Sequence, residues 1–271
     1  MRVLSVEARP LHRIPYLNAA RRGGTESRAL PILAASLDRF PSTLDGILLA
    51  SDLQGIASDW RAGGVSRLLG EEVADCYVEL SAAGAVPAPE RTGVVLAGDL
   101  YSVPAANKRG GHGDVRDVWR AFSNRFRWVV GVEGNHDGFG SERQRARFER
   151  EPGIHLLDGQ VVELDGWRFG GVGRVIGRYQ KLGRREEGDF LAALDLVLEC
   201  NPDVVVLHEG PQGRLPDQRG RELIGERLDK SPVPLVVCGH VHWPDPLHPV
   251  SEDRAILNVD SRAILLRAAA D

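Results

Sequence analysis

Five short apolar runs in this 271-residue chain each end on a residue that can bind a metal ion. Each run has the length and composition of a buried β-strand, and stretches with helical spacing or loops separate several of them. In an open α/β sheet, side chains beyond the carboxyl ends of the strands gather at one edge, where ligands bind. The pattern therefore predicts a mixed α/β fold that brings five distant residues together: Asp52, Asp99, Asn135, His208 and His240.

Each of these residues has an ordinary structural explanation when it is taken alone. A strand-ending Asp often caps the next helix, and a single His is more often a hydrogen-bonded core residue than a ligand. Five coincidences are harder to explain in that way, because each residue also lies beside a glycine or another ligand-type residue. Three glycines precede such positions, where the backbone must turn sharply and approach a ligand closely: Gly98, Gly134 and Gly239.

Other elements are predicted from periodicity alone. Apolar spacing predicts a helix over Glu26 to Phe40, with Pro31 in its first turn. The same spacing predicts helices over Val65 to Ser81 and over Asp189 to Glu199. Between Gln160 and Gly173, alternating apolar residues around a turn dipeptide predict a β-hairpin.

Composition and charge argue against several classes of protein. Hydrophobic residues make up 42% and charged residues 27%, which is typical of a folded globular chain. The net charge of −4 argues against a protein that coats long nucleic acids through their phosphates. No apolar run approaches the ~18 residues that span a bilayer. The stretch from Met1 to Pro10 lacks the apolar segment of a signal peptide.

The cysteines point to a reducing environment. Cys76, Cys200 and Cys238 are too few and too scattered for a disulfide framework or a cysteine zinc cluster. Each lies in an apolar stretch and is expected to be a buried small hydrophobe. We therefore expect a cytoplasmic protein.

The motifs at the strand ends resemble those of the calcineurin-like metallophosphoesterase superfamily. Four matching segments occur in the family's order over roughly residues 45 to 267: Gly98-Asp99, Gly134-Asn135-His136-Asp137, His208 to Pro211, and Gly239-His240-Val241-His242. The first family motif differs, because the usual Asp-x-His is here Asp52-Leu53-Gln54. The resemblance implies a four-layer sandwich of two mixed β-sheets flanked by helices. It also implies a single domain over residues 1–271, in which residues 1–45 form an N-terminal extension without an assigned role.

The resemblance further implies a dinuclear metal centre. Asp99 would bridge two divalent cations. Two triads would complete the sites: Asp52, Gln54 and His242 for the first, and Asn135, His208 and His240 for the second. His136 would face the scissile phosphate as a general acid or a charge stabiliser, and Asp137 would orient His136. A bridging water or hydroxide would attack the phosphorus.

Gln54 bears on which metal binds. A glutamine offers a neutral oxygen where the family usually offers an imidazole nitrogen, so the first site should be weaker and less suited to Zn²⁺. We expect two divalent ions, with Mn²⁺ preferred and Mg²⁺, Fe, Zn²⁺ or Ni²⁺ as the other options. An Asp-x-Gln motif also resembles a manganese-dependent branch that hydrolyses nucleoside diphosphate derivatives.

The expected reaction is hydrolysis of a phosphoester. A diester is slightly preferred over a monoester because the His136 motif is retained. Tyr101, His112 and Arg174 are the candidate substrate-binding residues, because loops beside the metals shape specificity. A phosphorylated small molecule or nucleotide is the expected partner. Nucleic acid stays open, a membrane is not expected, and the oligomeric state is not specified. Two alternatives remain: a nucleoside-diphosphate-type pyrophosphatase, and a catalytically silent scaffold of the same fold.

Overall fold

A computed structural model describes residues 1–57 and 66–269. The strands in chain order are β1 (Val3–Val6), β2 (His12–Ala19), β3 (Thr25–Leu37), β4 (Gly46–Ser51), β5 (Ile56–Ala57), β6 (Thr92–Leu96), β7 (Gly113–Asp114), β8 (Trp128–Gly131), β9 (Asp137–Gly138), β10 (Ile154–Leu156), β11 (Gln160–Leu164), β12 (Trp167–Val172), β13 (Val175–Ile176), β14 (Arg184–Arg185), β15 (Val204–Glu209), β16 (Leu235–Gly239), β17 (Leu247–Pro249), β18 (Ala255–Asn258) and β19 (Arg262–Ala268). The helices are α1 (Leu69–Ala82), α2 (Arg116–Ser123), α3 (Glu142–Phe148), α4 (Glu187–Glu199) and α5 (Glu222–Leu228).

Two mixed sheets form the centre of the molecule. In the larger sheet the order is β10-β8-β6-β4-β19-β3-β2-β5, and β1 also pairs with β3. Strands β4, β6, β8 and β10 run parallel, whereas β19 is antiparallel to β4. In the smaller sheet the order is β11-β12-β15-β16-β18-β17, with a parallel core and antiparallel edge strands. In these two sheets the parallel strands other than β10 are interior strands, as their continuous apolar sequences predict, whereas β10 forms an edge of the larger sheet.

The hydrophobic core consists of three clusters, one between the two sheets and one on the outer face of each sheet. Side chains such as Leu49 and Val130 of the larger sheet pack against Val206 and Val237 of the smaller sheet. On the outer face of the larger sheet, residues of α1 and α2 cover β4 and β6. Residues of α4 and α5 cover the outer face of the smaller sheet. The order helices, sheet, sheet, helices confirms the four-layer α/β sandwich.

The helix predicted over Glu26 to Phe40 is wrong, because these residues form most of strand β3. The strand lies between β2 and β19 and is buried along much of its length. A strand buried on both faces has a continuous apolar sequence, which periodicity alone cannot distinguish from a helix. Pro31 precedes the stretch that pairs with β19, which begins at Ile32, so its missing N–H is tolerated there.

The other predicted elements compare more closely. Helix α4 and the hairpin of β11 and β12 confirm two predictions. Helix α1 begins at Leu69, and Val65 of the predicted helix lies outside the described residues. Cys76 and Cys238 are buried, but Cys200 is exposed at the end of α4, so its predicted burial is wrong. Among the described residues, no helix combines the length and hydropathy needed to cross a bilayer.

Candidate metal centre

The loops that follow the parallel strands carry the candidate ligands. Asp52 directly follows β4 and His240 directly follows β16, whereas His208 lies within β15. Asp52, Asp99 and His240 have left-handed backbone conformations, with φ of 53°, 56° and 65°. Such conformations are uncommon outside glycine and occur where a turn directs a side chain towards a site. The sharp turns at the strand ends therefore direct these side chains to one edge of the two sheets.

The glycines predicted to allow close approach do so. A Cβ atom on Gly239 would lie 2.5 Å from the Asp52 Oδ2 atom, and one on Gly134 would lie 2.8 Å from the Asp99 Cα atom. A Cβ on Gly98 would lie 2.8 Å from the Nδ1 atom of His208. No larger side chain fits at these positions without displacing a candidate ligand.

The residues predicted for the second metal site lie close together in the structure. Ligand atoms of Asp99, His208 and His240 all lie within 4.8 Å of one another. The His208 Nε2 atom is 3.4 Å from the Asp99 Oδ1 atom and 3.2 Å from the Asn135 Oδ1 atom. Since the His208 Nδ1 atom lies 2.8 Å from the Ala97 carbonyl oxygen, it carries a proton that it donates there, and Nε2 remains to face the site. Asp99 and His208, which are buried, and Asn135 and His240, which are partly exposed, thus form a set of oxygen and nitrogen donors that fits a divalent transition metal.

The electrostatics of this cluster favour a cation. Burial opposes a charge on His208, but the carboxylates of Asp99 and Asp52 raise its pKa to about 10. The pKa of Asp52 is raised well above its ordinary value by burial and by the neighbouring Asp260. A site that stabilises a proton this strongly on a buried imidazole carries excess negative charge, which a divalent cation would neutralise.

The first predicted metal site is only partly assembled. The Asp52 Oδ2 atom accepts hydrogen bonds from the Ser51 hydroxyl at 2.7 Å and from the His240 backbone N–H at 2.8 Å. The Gln54 amide nitrogen donates to the Asp99 Oδ2 atom at 3.0 Å, which places Gln54 beside the proposed bridging carboxylate. Asp52 and Gln54 therefore lie at the site where they were predicted.

His242 has different partners. Its side chain is 55% exposed, and its Nδ1 atom lies 3.2 Å from the Asp260 Oδ1 atom. The Arg262 Nη2 atom lies 3.0 Å from the Nε2 atom of His242. The same Arg262 atom lies 3.1 Å from the His242 Nδ1 atom, so it contacts both ring nitrogens. In the described residues, the cluster around Asp99 does not include His242.

His136 is held with one nitrogen facing the site. Its Nδ1 atom lies 2.8 Å from the Gly111 carbonyl oxygen, so this nitrogen donates and Nε2 is the atom that can exchange a proton. The Nε2 atom is 3.9 Å from the Asp99 Oδ2 atom. The His136 backbone N–H also donates to Asp99 Oδ1 at 2.8 Å. His136 thus lies beside the carboxylate of Asp99, the candidate bridging ligand.

Asp137 has a different contact from the predicted one. Its carboxylate accepts hydrogen bonds from the backbone N–H groups of Asp99 at 2.8 Å, Leu100 at 2.7 Å and Gly134 at 2.8 Å. The prediction that Asp137 orients the His136 ring is therefore corrected, since Gly111 holds that ring. Asp137 instead joins the two loops that carry Asp99 and Asn135. Burial and the charge of Asp99 raise its pKa to about 7.

A cavity of about 620 Å³ adjoins the metal centre at Gly134 and Asp137. We call it the basic cavity, and its charged and ionisable lining includes His112, Glu133, Arg145, Arg174, Lys181 and Arg184. Two of the three predicted substrate-binding residues, His112 and Arg174, therefore line it. The third, Tyr101, packs beneath the loop that holds His136, because a Cβ on Gly111 would lie 3.2 Å from its ring.

The sequence analysis missed several residues at the site. Asp260 follows β18, and the rule applied to the other strand ends would have identified it. Glu133 immediately precedes Gly134 and is buried, where it accepts a hydrogen bond from Arg145 at 2.5 Å and pairs with Arg174. No local signal marks Arg262, because only the tertiary structure brings it to His242.

Comparisons with known proteins agree with this geometry. The profile of the calcineurin-like phosphoesterase family matches residues 47–244. The protein TT1561 of Thermus thermophilus has a similar structure, with 16% identity, a TM-score of 0.56, and coverage of 80% of this chain and 89% of that chain. Phosphopantetheinyl hydrolase (PptH) from Mycobacterium tuberculosis is similar at 14% identity and a TM-score of 0.51, with 80% of this chain and 89% of that chain covered. At these identities, the structural similarities show a shared fold. The comparison with curated protein sequences gave no match.

Proposed function

Because the chain belongs to the calcineurin-like phosphoesterase family, whose profile matches residues 47–244, we propose that it hydrolyses phosphoesters at a dinuclear metal centre. We propose a slight preference for diesters over monoesters, based on the retained His136 motif. The observation that carries the proposal is the buried cluster in which ligand atoms of Asp99, His208 and His240 lie within 4.8 Å of one another. A catalytically silent scaffold would have no need to retain such a set of donors.

The ligand residues divide into two groups. Asn135, His208 and His240 would hold one cation with Asp99, while Asp52, Gln54 and His242 would hold the other. Two bound cations would clamp the phosphoryl oxygens and lower the pKa of a water molecule. Within the protein, Asp137 keeps the Asp99 and Asn135 loops together through their backbone N–H groups.

His136 is proposed to supply the proton. Its Nε2 atom is on the side of Asp99, and its Nδ1 atom is fixed by the Gly111 carbonyl oxygen. The ring is therefore oriented before a substrate binds, which lowers the cost of aligning the acid with the leaving oxygen.

We propose Mn²⁺ as the preferred metal. Gln54 lies against Asp99 and offers an amide in place of an imidazole. His242 lies beside Asp260 and Arg262 and, among the described residues, is not part of the cluster around Asp99. Both features weaken the first site relative to the second, and an oxygen-rich first site favours Mn²⁺ or Mg²⁺ over Zn²⁺.

Gln54 also supports one alternative, a pyrophosphatase that acts on nucleoside diphosphate derivatives. The side chain remains in contact with the bridging carboxylate, so the substitution alters the site and does not remove it. The substrate would then be a nucleotide, which agrees with the proposed phosphorylated small-molecule partner.

We also propose that residues 1–271 form a single domain. In support of this, β1, β2 and β3 pair within the larger sheet. Val6 and Arg13 of the N-terminal extension face His242 and Arg262 across a cavity of about 650 Å³. Three free cysteines support a reducing cytoplasmic location.

A substrate panel tests the proposed function. The purified chain would be assayed with bis-p-nitrophenyl phosphate, p-nitrophenyl phosphate and a nucleoside diphosphate sugar, each with Mn²⁺, Mg²⁺, Zn²⁺, Fe²⁺ or Ni²⁺. We expect Mn²⁺-stimulated hydrolysis, fastest on the diester. Asp99→Ala should abolish hydrolysis and metal binding, whereas Asp117→Ala, at an exposed position on α2, should retain both. Faster cleavage of the diphosphate sugar would support the pyrophosphatase, and the absence of both metal and hydrolysis would support the scaffold.

A further inference from the structure

The basic cavity lies directly beside the metal centre. A Cβ on Gly183 would overlap the main chain of Asn135 and would lie 2.6 Å from the Asn135 carbonyl carbon. The Gly183 carbonyl oxygen accepts a hydrogen bond from the Val175 N–H at 3.1 Å, and β13 pairs with β14 next to this contact. Within the segment from Gly177 to Arg184, Gly183 packs against a candidate metal ligand, and the residues from Tyr179 onwards line the cavity.

The charged groups of the cavity comprise an ion-paired cluster and two further cations. Glu133 pairs with both Arg145 and Arg174, and Arg145 also pairs with Glu149, so these four side chains carry no net charge. Lys181 and Arg184 also line the cavity, and within the described residues neither is paired with a carboxylate. Glu142 offsets one of these charges. The carboxylate of Asp137 is directed to backbone N–H groups.

Arg174 is held in a fixed orientation. Its backbone is left-handed, with φ of 67°, and its N–H donates to the Glu133 carbonyl oxygen at 2.8 Å. Its guanidinium also contacts the Glu133 carboxylate. An arginine fixed at two points retains N–H groups that can bind an anion without a large loss of side-chain entropy.

Two exposed apolar side chains line the cavity. Tyr179 is 66% exposed and Leu182 is 74% exposed, and both lie on the same segment as Lys181. Large apolar side chains at this exposure, beside unpaired cations, form a surface on which a flat ring can pack.

Building on the proposed function, we propose that the basic cavity binds a second phosphate of the substrate, distinct from the phosphate that is hydrolysed. The substrate class is a nucleoside bisphosphate, which would be hydrolysed as a phosphomonoester, the second of the two ester types in the proposed function. Its base would pack against Tyr179 and Leu182. Lys181 and Arg184 bind the second phosphate, and Arg174, which also lines the cavity, helps to position it. Charge-assisted hydrogen bonds to phosphate are the strong contacts in such a site.

The test compares substrates that differ only in the second phosphate. The rate constant kcat/KM would be measured for adenosine 3′,5′-bisphosphate, adenosine 3′-monophosphate and adenosine 5′-monophosphate. We expect the bisphosphate to exceed the better monophosphate by about tenfold or more, the usual effect of one charge-assisted contact. Lys181→Gln and Arg184→Gln should each reduce this ratio towards one. Arg178→Gln, an exposed residue of the same segment, should leave the ratio unchanged.

The proposal would be overturned if the ratio of kcat/KM between the bisphosphate and the better monophosphate were near one in the wild type, or if Lys181→Gln and Arg184→Gln both kept the wild-type ratio. In either case, hydrolysis of the monophosphates would still support the proposed function. If no substrate is hydrolysed, the proposed function fails, and calorimetric binding of adenosine 3′,5′-bisphosphate in the presence of EDTA decides the cavity's role. Binding that is lost in Lys181→Gln and kept in Arg178→Gln would support the basic cavity as a phosphate site. Absent or unaltered binding would overturn it.

Discussion

Replacing Gly183 by Ala tests whether the segment from Gly177 to Arg184 determines the position of the candidate metal ligand Asn135. Gly183 has φ of +69°, and its added Cβ would lie 2.6 Å from the carbonyl carbon of Asn135, with closer approaches to two further main-chain atoms. These neighbours are backbone atoms, which cannot move aside as the end of a flexible side chain can. Gly84 offers a matched control, because its φ is +72° and no atom lies within 4 Å of its added Cβ.

The two substitutions share one cost and differ in another. A left-handed backbone costs a residue with a Cβ about 1–2 kcal/mol, which both variants should show. Only Gly183→Ala adds steric overlap, and overpacking of this kind costs about 1–3 kcal/mol more. We expect free energies of unfolding lower by about 1–2 kcal/mol in Gly84→Ala and by about 2–5 kcal/mol in Gly183→Ala.

The effect on function should separate the variants further. Relief of the overlap requires Asn135 to shift by about 1 Å, and a misplacement of that size can reduce turnover about 10²-fold. Urea denaturation would give the stabilities, and titration with Mn²⁺ followed by phosphodiesterase assays would give metal affinity and kcat. Equal stability, metal affinity and kcat in the two variants would refute the reasoning, because the contact with Asn135 would then have no consequence.

Three further predictions concern single side chains. His136→Ala should keep bound metal but lower kcat by about 10²–10⁴, the range for general acid–base catalysis, and an unchanged kcat would contradict its role. After equilibration with Zn²⁺ and Mn²⁺, metal analysis should find a higher ratio of bound Zn²⁺ to bound Mn²⁺ in Gln54→His than in the wild type. The control Gln160→His, at an exposed position, should leave this ratio unchanged. The same ratio in both variants would count against Gln54 as a determinant of metal choice. Hydrogen bonds from Arg127 lower the pKa of Asp165 to about 2, so this carboxylate stabilises the fold above pH 3.8 and loses that effect as the pH falls towards 2. In urea denaturation, Asp165→Asn should therefore lower the free energy of unfolding by about 1–2 kcal/mol at pH 7. The difference in free energy of unfolding between the wild type and Asp165→Asn should become smaller as the pH falls towards 2, and a difference that stays constant would refute this prediction.

The positions of six candidate ligands could be predicted from the sequence because each is tied to a local pattern. Asp52, Asn135 and His240 follow apolar runs, and parallel strands place the residues after their carboxyl ends at one edge of a sheet. Asp99 and His208 follow from the same strand-end pattern, whereas Gln54 joined the set through the resemblance to the family's Asp-x-His motif. That resemblance, carried by the motifs, also implied the four-layer fold.

The orientation of particular side chains could not be predicted in this way. His242 occupies the expected position in its motif, but Asp260 and Arg262 determine where its ring points. Likewise, Asp137 follows His136 in the chain, yet its carboxylate reaches backbone N–H groups of a loop 37 residues away in sequence. These contacts depend on distances between loops, about which local sequence carries little information.

Sequence by itself determined which residues can carry the chemistry, because residue type and periodicity are local properties. Tertiary structure decided that residues 25–37 form a strand, since their apolar run gains its partner from β19 more than two hundred residues later. Tertiary structure also determines that the basic cavity forms, because its lining comes from helix α3 and from loops that are far apart in the chain. Pairing and packing between distant segments contribute free energy only when the chain is folded, so no local pattern records them.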